Sequence, residues 1–172
     1  MEQEQVKRML ADYRRCVARR ESLRIEMDMA REQIERERAA ALENAVLPGR
    51  GFEIPPGGAP GDPTARVAVK YASGYEPVYI REMEGDWNRM RDEMRECEAV
   101  CRYVEAWRGA LNERERLVID RHVIGGETYA ETLEAMAAQF PAGGVTSVDG
   151  IKCLNRRAME KIYAAAGTAA KT

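Results

Sequence analysis

Apolar residues recur every three or four positions from Glu2 to about Ala45, and this spacing predicts a long amphipathic helix with coiled-coil character. The stripe runs Val6, Met9, Tyr13, Cys16, Leu23, Met27, Ala30, Ile34 and Ala41, interrupted by Arg20 and Glu37. No Pro or Gly breaks the segment. Over Met1 to Leu47 ten basic side chains balance ten acidic ones. Arg14, Arg15, Arg19, Arg20 and Arg24 could track a phosphate backbone, yet alternating signs better suit a solvated face beside a seam.

Pro48 stops this helix, and Gly and Pro crowd the stretch to Pro77. Such a connector excludes a long helix or a central strand. Within it Asp62 can cap, and Pro63 open, a short helix over Ala65 to Tyr71. A second long helix is predicted from Val78 to about Trp107, with a seam of Met83, Trp87, Met90, Met94, Cys97, Cys101 and Val104, continued by Leu111. The two stripes are complementary. An antiparallel hairpin within one chain, or a dimeric coiled coil, would bury both.

Three shorter helices are expected after Gly109. The first covers Asn112 to Ile124, with Asn112 as cap, Glu115 completing a capping-box variant, and Gly125-Gly126 as terminator. The second covers Tyr129 to about Gln139, capped by Thr128 and Glu131 and ended by Pro141. The third runs from about Ser147 to Tyr163, with Thr146 as its expected cap. Val148, Ile151, Leu154, Ala158 and Ile162 form its inward stripe. Four basic residues, Lys152, Arg156, Arg157 and Lys161, face two acidic ones, Asp149 and Glu160, between Val145 and Tyr163. Two capped helices bracing a third with basic outer faces is the arrangement of a helix-turn-helix, whose last helix fits a major groove.

Composition narrows the reading further. The chain is 45% hydrophobic and 33% charged, with 6% aromatics, which favours helices. Its formal net charge of −2 means that any DNA affinity comes from local charge placement. Cys97 and Cys101 could form half of a zinc site, but no second Cys or His pair accompanies them, and the lone His122 lies in another helix. Small apolar residues on a helical seam are the expected role of the cysteines; neither metal nor cofactor is expected. The Gly-rich stretch lacks the ending of a phosphate-binding loop, and His122 has no evident catalytic partner, so an enzyme is not expected. The charged N-terminus and the absence of a long apolar run lead us to expect a cytoplasmic protein without a membrane partner.

The run L-N-E-R-E-R-L-V-I-D-R-H-V-I-G-G-E-T-Y-A-E from Leu111 resembles region four of bacterial sigma factors. Matching positions are Leu111, Glu113, Arg114, Glu115, Arg116, Val118, Ile119, Arg121, His122, Thr128, Tyr129 and Glu131. The run T-S-V-D-G-I-K-C-L-N-R-R-A-M-E-K-I from Thr146 resembles that family's recognition helix, through Arg157, Ala158, Lys161 and Ile162. This sequence departs from the pattern at Thr132, Leu133 and Ala137, and Ala138 to Val145 lengthens the turn. The layout, with G-D-P-T at Gly61 to Thr64, resembles small phage-encoded transcriptional regulators of the RinA/ArpU type.

The resemblance implies an all-α protein that binds double-stranded promoter or operator DNA in the cytoplasm of a bacterial host. Ser147, Asp149, Lys152, Cys153 and Arg156 would face the groove, with Gly150 allowing close approach. Arg157 and Lys161 would meet phosphates, and Thr128 and Tyr129 the DNA backbone. The resemblance also raises RNA polymerase as a partner of the same unit, and the long helices are expected to form a homo-oligomer. The expected organisation is a long helix (1–47), a connector (48–77), a second long helix (78–109) and the helix-turn-helix domain (110–172). Two other readings stay open: a phage DNA-packaging or assembly protein, and a structural coiled-coil adaptor.

Overall fold

The computed structural model describes residues 1–46, 76–141 and 145–167. Among these the chain is all-α, with five α-helices and no strand. Helix α1 spans Gln3–Val46, α2 Val78–Gly109, α3 Glu113–Val118, α4 Tyr129–Gln139 and α5 Val148–Ala165. The expected short helix at Ala65 to Tyr71, with Asp62 and Pro63 at its start, lies outside the described residues. So do most of the connector and part of the turn between Ala138 and Val145. No helix among the described residues is long and apolar enough to cross a membrane.

The first of the shorter helices differs from expectation. Beyond Val118 the α-helix widens into a π-helical turn, Ile119–Ile124. In an α-helix Ile119 and Ile124 would point well apart. The wider turn instead brings Val123 and Ile124 against the same apolar cluster as Ile119. Gly126 then takes a φ of +75°, and the Glu127 and Gly126 N–H groups donate back to the carbonyls of Arg121 and His122. This closing pattern needs a left-handed residue, which glycine supplies without steric cost.

The chain divides into two compact units: Met1–Glu21 with Arg95–Thr172, and Ser22–Met94. The boundaries fall inside α1 and α2. In the first unit these helices run antiparallel, since Tyr13 meets Glu105 and Arg108 while the later Cys16 clusters with Cys97 and Cys101. The stripes therefore pair within one chain. Val6, Leu10, Val104, Trp107, Leu111, Ile119, Ala158 and Ile162 form one buried cluster. Leu10 lies beside the expected stripe, not on it; it is buried because α5 covers that flank of α1 with Ala158 and Ile162. A second cluster, Leu117, Val118, Met136 and Ile151, joins α3, α4 and α5. Arg108 ties the end of α2 to the π-turn through two bonds to Asp120, at 2.7 and 2.6 Å.

The second unit buries Leu23, Ile34 and Ile80 among its described residues, while Met83, Trp87, Met90 and Met94 are half-buried. Arg38 of α1 pairs with Glu76 at 2.7 Å and with Glu84 of α2. Arg91 lies 5.4 Å from the centre of the Trp87 ring.

Candidate nucleic-acid interface

Helix α5 is the element on which the expected contacts converge. Its cap is Ser147, one residue beyond the expected Thr146: the Ser147 Oγ accepts the Gly150 N–H at 3.2 Å. Starting at Val148 directs Ile151, Ala158 and Ile162 into the core. The helical period then leaves Asp149, Lys152, Arg156, Arg157, Glu160 and Lys161 exposed, with Cys153 half-buried among them. Asp149 sits in the first turn, where the helix dipole favours a carboxylate, and pairs with Lys152 at 3.1 Å. Both side chains are open to solvent, at 91% and 55%, so a phosphate can compete for the lysine. The Arg156 guanidinium lies 3.9 Å from the Cys153 sulfur.

Gly150 has a different neighbour from the one the resemblance implies. A Cβ built there would lie 2.2 Å from Cγ1 of Val145. The close approach that glycine permits is made by the protein's own turn, which folds Val145 over the start of α5.

Three expected contacts also bond to groups of the protein itself, with Thr128 and Lys161 still exposed and Tyr129 half-buried. Thr128 caps α4 in a full capping box: its Oγ1 accepts the Glu131 N–H at 3.3 Å, and Glu131 Oε2 accepts the Thr128 N–H at 2.7 Å. The bond from the Thr128 backbone, then that from its hydroxyl, holds the Glu131 carboxyl below its ordinary range. Tyr129 is half-buried and stacks on His122 with ring centres 3.8 Å apart, while its hydroxyl accepts from Asn155 Nδ2 at 3.2 Å. Lys161 reaches Glu115 at 2.8 Å. Glu115 is 3% exposed and also accepts the Asn112 N–H at 3.1 Å, so one carboxylate caps α3 and anchors α5. Its cap role is readable from sequence; the tie to a lysine 46 residues on is not.

His122 donates from Nδ1 to the Glu127 carbonyl at 2.7 Å, because a carbonyl can only accept. Thr132, a departure from the sigma pattern, is fully buried, and its hydroxyl donates to the Thr128 carbonyl at 2.9 Å. A shallow cleft of about 330 Å³ between α3 and the end of α4 is lined by Arg116, Asp120 and Arg121. These charges are engaged by the Arg108 and Leu111 carbonyls, by Arg108 and by Glu127 respectively. Among the described residues no three His, Cys, Asp or Glu side chains group as metal ligands would.

No family model, curated protein or solved structure matches this chain.

Proposed function

We propose that this protein is a sequence-specific DNA-binding transcriptional regulator, phage-encoded and acting in the host cytoplasm, that reads promoter or operator DNA through α5. One observation supports the reading above all: α5 is buried along Ile151, Ala158 and Ile162 and solvent-exposed along Lys152, Arg156 and Arg157. A helix about 10–12 Å across fits a major groove about 12 Å wide. Ser147, Asp149, Lys152, Cys153 and Arg156 form the proposed groove-facing set, and Arg157 binds phosphate. Thr128, Tyr129 and Lys161 also fix the helices that carry the site; Thr128 and Lys161 stay exposed and remain the proposed backbone and phosphate contacts beside them. Binding to RNA polymerase and homo-oligomerisation through the long helices complete the proposal; exposed Ile25 and Met29 on α1 support the latter.

The test is a salt-dependent fluorescence-anisotropy titration against random duplex DNA and the upstream regions of neighbouring genes. Saturable binding that weakens steeply with salt and prefers one fragment is the expected result. Lys152→Ala and Arg156→Ala should weaken it with the circular dichroism unchanged. Wherever the removed cation had been neutralising a phosphate, the salt slope should fall by about 1. No binding at low salt would sink the reading. A ring-forming oligomer in light scattering would favour the assembly-protein alternative.

A further inference from the structure

Two side-chain hydrogen bonds fasten α5 to other helices at separate turns: Lys161 to Glu115 of α3, and Asn155 to Tyr129 of α4. The second is buttressed. The Tyr129 ring lies against His122, whose Nδ1–H is held by the Glu127 carbonyl beyond the π-turn. The apolar cluster beneath α5 supplies most of its attachment, but apolar contact is non-directional. Turning α5 by about 20° would keep Ile151 inside, yet would move side chains about 5–6 Å from the axis by about 2 Å. A hydrogen bond to a base edge tolerates only a few tenths of an ångström. A directional bond is therefore what sets which side chains meet the bases.

Asn155 carries a second sign of this role. Its Oδ1 is buried without a hydrogen-bond partner among the described residues. An unpaired buried carbonyl lowers stability, so an apolar residue at this position would serve the core better. What the amide provides is its one directed bond to Tyr129.

We propose that Asn155 and Tyr129 are positioning residues for DNA recognition, their hydrogen bond setting the rotation of α5 and so its sequence discrimination. This inference rests on the DNA-binding reading above. Neither residue need touch DNA.

The experiment compares wild type, Asn155→Ala, Tyr129→Phe and the double variant, as full chains, on two duplexes. One is enriched from a random library by the wild-type protein; the other is unselected. The variants should retain their circular dichroism and their salt slope on the unselected duplex, while preference for the selected duplex falls about tenfold, the scale of one mismatched base pair. The double variant should be no worse than the worse single one, because both remove the same bond. Unchanged preference in the variants would overturn the inference and leave DNA binding standing. Equal weakening on both duplexes would reduce the bond to a structural role and overturn it as well. So would a wild-type protein that binds both duplexes equally. Wild-type protein that binds neither would overturn the DNA-binding reading, and the inference with it.

Discussion

In the unit of Met1–Glu21 and Arg95–Thr172, α1 and α2 bury Val6, Leu10, Cys101, Val104 and Trp107 almost completely. In the unit of Ser22–Met94 the same two helices bury Leu23, Ile34 and Ile80, and leave Ile25 at 55% and Met29 at 65% exposure. The apolar spacing is similar in both. What differs among the described residues is the third layer: in the first unit α5 and the π-turn pack on the helix pair, whereas the described part of the second unit consists of the two helices. Stripe residues such as Leu23 and Val104 are buried in both units, and the added layer decides whether a residue beside the stripe is buried, as Leu10 is, or exposed, as Ile25 and Met29 are.

The sharpest way to break this contrast is a charge in the packed unit. Ile151→Asp places a carboxylate where the side chain is fully enclosed. It should cost about 3–5 kcal/mol, the scale of an uncompensated buried charge, and unfold the C-terminal helices. A urea midpoint equal to wild type, followed by circular dichroism, would refute the core placement. Next comes a matched pair on a single helix. Leu10→Ala should destabilise by about 2–5 kcal/mol, as a cavity in a close-packed core does. Met29→Ala should stay within about 0.5 kcal/mol, as exposed substitutions do. Similar destabilisation from both would erase the distinction between the units.

A smaller effect is expected where the turn folds over α5. Gly150→Ala should cost about 1–3 kcal/mol through overpacking against Val145. Adding Val145→Ala should recover much of that stability; if it does not, the crowding lies elsewhere. The smallest effect concerns the cysteine seam. Burial, then the neighbouring Cys97, pushes the Cys16 thiol up to about 11 from an ordinary 9.0. A raised folded value favours the neutral thiol. Its contribution to stability is therefore complete below pH 9.0 and disappears as pH rises through about 11. Alkylation of Cys16 by iodoacetamide should stay slow until that upper range. Rapid labelling near pH 9.0 would show that the seam is open.

Local chemistry is readable from sequence. Thr128 and Glu131 lie three residues apart and form the box that their types imply, and α4 ends before Pro141. Both long helices show in their spacing. Contacts between helices distant along the chain are not readable. That Lys161 reaches Glu115 shows only once α5 docks on α3. That the Tyr129 hydroxyl meets Asn155, 26 residues on, shows only once α5 docks on α4. The π-turn depends on Val123 and Ile124 both reaching a cluster that α1 and α5 complete. Ser147 and Thr146 are adjacent cap types, and the slightly better one, Ser147, caps α5 through the Gly150 N–H. The DNA-binding reading itself rests on the sigma-like runs and on the exposed face of α5.

Val6 and Leu10 share a cluster with Ala158 and Ile162. On the ribosome the first pair emerges before the second and must wait, its apolar surface uncovered, until the second has been made. Such long-range closure slows folding and prolongs the interval in which chains can aggregate. The C-terminal helices cannot finish their core as a late, independent module. Its completion is coupled to Val6 and Leu10, so a nascent protein acquires the finished α5 platform only when segments far apart along the chain have both been made.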